Sequence, residues 1–159
     1  MKHLPKHLQP RWRYLAVELE SWPDAQFDRG DFQRELWYAA QNLYGDSGSA
    51  AADLTVLSFS FADGDGETIV RAYRGEEDRA RAALTCISTV NGSPVGVRVA
   101  GISGTVRACE ERYLGRRAGT PKERDVVFED ESRPAVVRDS RIDVRGADGF
   151  VGATQLDFE

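Results

Sequence analysis

The chain has 159 residues, enough for one domain that buries about two-thirds of its unfolded surface, and no apolar run approaches the roughly 20 residues that span a bilayer. Its two cysteines, Cys86 and Cys109, exclude a disulfide scaffold; with no signal peptide ahead of them they read as small buried hydrophobes in a reducing cytoplasm. A net charge of -5 argues against a polyanionic partner only if charge is evenly spread, and here it is not.

Residues 1–13 form a basic lead-in, with Lys2, Lys6, Arg11 and Arg13 and no acid, and Pro5 and Pro10 keep it from being helical inside. From Trp12 the chain alternates. Leu15, Val17 and Leu19 face one way and Tyr14, Ala16 and Glu18 the other, a first strand that Pro23 ends. Asp28 or Asp31 can cap a helix with Phe32, Leu36, Ala39 or Ala40, and Leu43 on one face, and Gly45 stops it. Leu54 to Phe61 is a second strand, and Asp63-Gly64-Asp65-Gly66 turns it into a third, Glu67 to Tyr73. Glu76 to Ile87 is a second helix with Ala80, Ala83, Leu84 and Ile87 inward, and Asn91-Gly92 is the next turn.

Pro94 to Leu114 is the stretch on which the rest depends. Val95, Val97 and Val99 alternate with Gly96, Arg98 and Ala100, a fourth strand ending near Ile102. Ser103, Gly104 and Thr105 then form a turn that can start a helix presenting Val106, Cys109 and Tyr113 on one face. With Ala108 three residues after Thr105, no Glu or Gln completes a capping box. Free N–H groups at that N-terminus, with Arg107 beside them, suit a phosphate or carboxylate. An ordinary cap explains the turn taken alone, so phosphate contact needs support from elsewhere.

The order strand, helix, strand, strand, helix, strand is the split βαβ of ferredoxin-like (RRM-like) α+β folds. It predicts a four-stranded antiparallel sheet with the first and third strands central, two helices on one face, an extra C-terminal helix and an acidic tail. The domain spans 14–114, between the lead-in and an extension over 115–159. If the two helices cover Leu15, Val17, Val70, Ala72, Val97 and Val99, the other face holds Tyr14, Ile69, Arg71, Tyr73 and Arg98. Aromatic and guanidinium groups mixed in this way can stack bases and pair phosphates, and the extra helix could equally cover them through Val106 and Tyr113. In the extension, Gly119, Thr120 and Pro121 read as a linker. From Pro121 on, ten acids face six bases, and both disorder and a small strand addition stay open.

Catalytic chemistry is hard to find. His3 and His7 lack two further ligands for a structural zinc site, and neither cysteine belongs to a close pair. Asp63 to Glu67 lacks the later acidic positions of a calcium loop. Gly101 to Thr105 has neither the P-loop lysine nor the nucleophile-elbow spacing, and no carboxylate pair stands out. The chain itself is expected to do no chemistry.

With strand, SGT turn and helix in this order, the sequence resembles the archaeal and eukaryotic ribonuclease P protein component 2 family. The resemblance covers about residues 4 to 114. It rests on Leu4-Pro5, Arg11, Arg13, Tyr14 and Leu15; Gly45 and Gly48; Ile69, Val70 and Arg71; Arg81 and Ala82; and Val97, Arg98 and Val99 through Gly101, Ser103, Gly104 and Thr105, the SGT turn being the most specific part. With only three lysines among 21 bases, the acidic, arginine-rich composition is similar to that of proteins from salt-loaded archaeal cytoplasm, where screening leaves short bidentate Arg contacts. The resemblance implies a cytoplasmic subunit of a ribonucleoprotein endonuclease that removes the 5′ leader from precursor tRNA. Its RNA subunit cleaves with magnesium, the protein binds no cofactor, and a TIM-barrel-like protein subunit is its partner. On that reading the RNA-binding residues are Lys6, Arg11, Arg13, Tyr14, Arg71, Arg98, Ser103, Thr105 and Arg107. The competing readings are a ferredoxin-like small-molecule-sensing or regulatory module without RNA, and a small enzyme such as an acylphosphatase, whose phosphate loop Gly92 to Arg98 does not supply.

Overall fold

A computed structural model describes residues 5–8, 11–115, 121–146, 149–154 and 157. The expectations on Lys2, His3, Leu4, Pro10, Gly119 and Thr120 lie outside the described residues. After a short 3-10 turn at Lys6–Leu8 come β1 (Trp12–Ser21), α1 (Arg29–Ala52), β2 (Thr55–Ala62), β3 (Asp65–Tyr73), α2 (Glu77–Thr85), β4 (Thr89–Val90), β5 (Ser93–Ser103) and α3 (Val106–Tyr113). A second group of strands follows: β6 (Lys122–Phe128), β7 (Glu131–Arg138), β8 (Arg141–Arg145) and β9 (Phe150–Thr154).

The first sheet is antiparallel in the order β2-β3-β1-β5-β4, so β1 and β3 are central, as the topology predicted. The expected four strands are five. Asn91 and Gly92, at φ of 51° and 79°, make a tight turn that pairs Val90 with Ser93 and Thr89 with Pro94.

α1 begins with a reciprocal cap. Asp31 N–H donates to the Asp28 carboxylate at 2.9 Å and Asp28 N–H to the Asp31 carboxylate at 3.0 Å. The bond from the Asp31 backbone N–H, foremost, holds the Asp28 carboxyl below its ordinary value. Phe32, Leu36 and Ala40 recur on one face and are fully buried. Gly45 does not end the helix. At φ 71° it kinks it, and the chain resumes helical geometry to Ala52. The same helix closes the outer edge of β2: the buried Gln33 amide accepts from Val56 N–H at 2.7 Å and donates to Leu54 O at 3.1 Å, while Trp37 Nε1 donates to Leu54 O and Arg29 Nε to Val56 O. That stretch of sheet edge is therefore not open to strand addition.

One core lies between the sheet and α1 and α2, built from Leu15, Val17, Leu19, Phe32, Leu36, Val56, Val70, Ala83 and Leu84 with their neighbours. α3 covers the opposite face, where buried Cys109 meets Ala16 and Ile69, flanked by Tyr14, Leu57, Ala100, Val106 and Tyr113. The physical reason is a β-bulge. β5 pairs Val17 with Val99 but Ala16 with Gly101, so Ala100 is the extra residue and Ala100 and Gly101 both turn toward α3. Cys86 departs from expectation: it is exposed, whereas Cys109 is buried.

Over its described residues the extension is a four-stranded antiparallel meander, β6-β7-β8-β9. Arginines fasten it to the body. Buried Arg138 donates to Ser21 O at 2.8 Å and Gly64 O at 3.1 Å and pairs with Asp143. Arg141 reaches Glu20 at 2.8 Å, and Arg145 lies over the Trp22 ring, which also packs on Phe150 at 4.4 Å.

Candidate functional site

The residues singled out in the sequence do not form one patch. Arg11, Arg13 and Arg71 share the end of the sheet where β1 begins and β3 finishes, with Arg13 turned toward α2 and Arg71 on the opposite face. Arg74 N–H donates to Arg11 O at 2.9 Å, which sets Arg74 beside Arg11; both are exposed, and neither makes an ion pair among the described residues. Arg13 is half-buried, with Nε 3.4 Å from a Glu77 carboxylate oxygen at the start of α2. On its other side a Cβ added to Gly104 would lie 3.6 Å from Arg13 Nη1, so this guanidinium reaches the SGT turn. Lys6 is exposed on the 3-10 turn five residues before Arg11.

Arg71 belongs to a stack. Its guanidinium carbon is 3.8 Å from the centre of the Trp12 ring, and the Tyr73 ring lies 4.2 Å from Trp12 at an interplanar angle of 13°. Two bodies that close to one ring centre cannot share a face, so Trp12 is held between them. Trp12 and Tyr73 are direct cross-strand partners. Buried Arg71 Nε and Arg13 Nε have no hydrogen-bond partner among the described residues.

At the SGT turn, Ser103 is buried, and Thr105 caps α3 by accepting Ala108 N–H at 3.1 Å. Tyr14 is partly covered by α3, its carbonyl accepting from the Cys109 thiol at 3.1 Å. Burial pushes that thiol pKa up, which makes Cys109 a packing residue rather than a nucleophile. Arg107 pairs with Glu111 at 2.8 Å on an exposed helix face. Arg98 is remote, opposite Glu18 in the register, four residues or about 13 Å along β1 from Tyr14. There its Nε donates to Glu18 at 2.9 Å and the pair neutralises itself.

Two members of the cluster escaped the sequence reading, Trp12 and Arg74, and Tyr73 was placed on the candidate face without being named among the RNA-binding residues. Alternation puts Trp12 on the face of Tyr14, and Tyr73 on the face of Arg71, so the signal was present. Register alone brings them into contact. Among the described residues no group of three His, Cys, Asp or Glu side chains converges as a metal site, and no helix is long and apolar enough to cross a membrane.

Fold and site define a ferredoxin-like α+β domain that places several arginines at one end of its sheet, Arg11 and Arg74 among them exposed and unpaired among the described residues, and carries an added β meander. The sequence model of the Rpp14/Pop5 family matches residues 13–114, from β1 to the end of α3, and the chain belongs to that family. The ribonuclease P protein component 2 of Natronomonas pharaonis is 65% identical over 99% of this chain and 98% of its own length. That of Halorubrum lacusprofundi is 62% identical over the whole of both. The Methanosarcina mazei protein of the same name is 33% identical over 72% of this chain and 93% of its own. A chain of the yeast ribonuclease MRP cryo-EM structure overlays at a TM-score of 0.46 and 18% identity, covering 63% of this chain and 79% of that one.

Proposed function

We propose that the chain is a protein subunit of ribonuclease P that supports the catalytic RNA in removing the 5′ leader from precursor tRNA. Family membership supplies the context. The carrying observation is that Arg11 and Arg74 are exposed and unpaired among the described residues, with Arg13 and Arg71 at the same sheet end on its two faces, in a chain whose net charge is -5. A polyanion is the natural ligand of such an end, because each phosphate neutralised releases condensed counterions. Magnesium acts at the RNA, and the protein supplies charge and shape without chemistry of its own. The RNA contacts on this reading are Lys6, Arg11, Arg13, Arg71 and Arg74 with Ser103 and Thr105 alongside, whereas Tyr14, Arg98 and Arg107 are engaged by α3, Glu18 and Glu111.

The TIM-barrel-like protein subunit is assigned to α1, where Trp37, Tyr38 and Leu43 are 53%, 54% and 45% exposed. Exposed aromatics on one helix are typical of a protein interface. The complex works in the cytoplasm.

Reconstitution tests the function. Ribonuclease P RNA with its protein subunits is assayed on precursor tRNA with and without this chain. A large loss of cleavage at low magnesium on omission supports the reading, and unchanged cleavage contradicts it.

A further inference from the structure

The Arg71–Trp12–Tyr73 stack is more than a strand-end staple. Trp12 has both ring faces occupied by the protein itself, so it cannot receive a ligand ring. The order of the stack follows from the strands. Arg71 is the inner member, across from Tyr14, and Tyr73 is the last residue of β3, across from Trp12. Tyr73 thus ends the ladder at the rim of the sheet, and its next residue, Arg74, stands exposed beside exposed Arg11. The Tyr73 side chain makes no hydrogen bond or other ring contact among the described residues. Its ring is partly exposed and is backed by Trp12, so ordering it on binding costs little further entropy.

We infer that the outer face of Tyr73 is a stacking platform for one unpaired nucleobase of an RNA strand, with Arg11 and Arg74 taking the flanking phosphates. This rests on the RNA-subunit reading above and adds to it the strand class recognised: a single-stranded or bulged segment rather than a continuous duplex, whose bases offer no free face. A π-face at the strand end, with exposed Arg74 next in the chain and exposed Arg11 beside it across the ladder, both unpaired among the described residues, matches a base with its own phosphates. An apolar protein partner would leave both charges unanswered.

The test uses the full chain, a ten-nucleotide oligoadenylate and a blunt RNA duplex of matched charge, with affinity measured against salt concentration. Tyr73→Leu is expected to weaken oligoadenylate binding about tenfold, the worth of one stacked base, without altering the slope of log affinity on log salt. Tyr73→Phe is expected to retain parental affinity, and duplex binding is expected to be unchanged in both variants. Circular dichroism of Tyr73→Leu confirms that the sheet has formed. Unchanged oligoadenylate affinity in a folded Tyr73→Leu, beside a parent that binds, overturns the platform and leaves the RNA-subunit reading standing; it is also the result expected if a protein docks there. A parent chain that binds neither RNA overturns both.

Discussion

Gly101 on β5 and Tyr113 on α3 are fitted so closely that a Cβ on Gly101 would lie 2.2 Å from the tyrosine ring. The bulge at Ala100 aims Gly101 at α3, and the absent side chain lets the ring lie against the strand. This contact seats α3 over the sheet face.

Gly101→Ala should therefore lift α3 rather than be absorbed. Overpacking of this kind costs roughly 1–3 kcal/mol, readable as a lower urea midpoint. Cys109, now buried, should become reactive to a thiol reagent in the folded protein. A variant with parental stability and a silent Cys109 would show that α3 is not held in this way.

Arg138 holds the second sheet. Its loss takes the side-chain donor from Ser21 O and leaves Asp143 without its cation, while Gly64 O keeps the Ser21 N–H, so Arg138→Ala should cost about 3 kcal/mol and open the β6–β9 sheet to limited proteolysis. Burial already raises the Asp143 carboxyl above its ordinary value, with Arg138 pulling the other way. Removing Arg138 must raise it further. A carboxyl raised on folding loses stability as pH climbs from its unfolded value of 3.8 through its folded one. The variant's deficit should thus be larger at neutral pH than near pH 4. A deficit independent of pH would contradict the role given to Asp143.

The opposite sign is expected at the start of α1. The Asp28 carboxyl is depressed on folding, so its stabilising effect is present above 3.8 and lost as pH falls through its folded value. Asp28→Asn keeps the cap but not the charge. Parent and variant should then differ most at neutral pH and converge as pH falls below 3.8 through the folded value, measured as urea midpoints. A constant gap would contradict a stabilising role for the Asp28 charge.

Charge counting separates two groups of arginines. Arg11→Ala and Arg74→Ala should each weaken binding to any RNA and lower the salt slope by about one. Arg98→Gln, already answered by Glu18, should leave affinity within about twofold. Equal losses at all three positions would mean the arginine network is not divided as described.

Much of this was legible because period-two and helical patterns are local. Leu15, Val17 and Leu19 announced a buried strand face, and the order of elements predicted central first and third strands. What escaped depends on register between distant segments. Glu18 and Arg98 lie 80 positions apart, so nothing near Arg98 marks it as neutralised. The bulge at Ala100 breaks no local rule, yet it decides that α3 covers Tyr14. The meander was hidden for another reason: β6 carries Lys122, Glu123, Arg124 and Asp125, all exposed, so half of its length lacks an apolar face to alternate. Its docking depends on Arg138, whose type usually signals surface.

The central claim is that RNA meets the protein at the rim where β1 starts and β3 ends. Protein–RNA crosslinking in the reconstituted particle tests it directly. The prediction is crosslinks at Lys6, Arg11, Arg13 and the Arg71–Arg74 segment, with Arg98 and the β6–β9 sheet silent. Crosslinks confined to Arg98 or to that second sheet, with none at the rim, would contradict it.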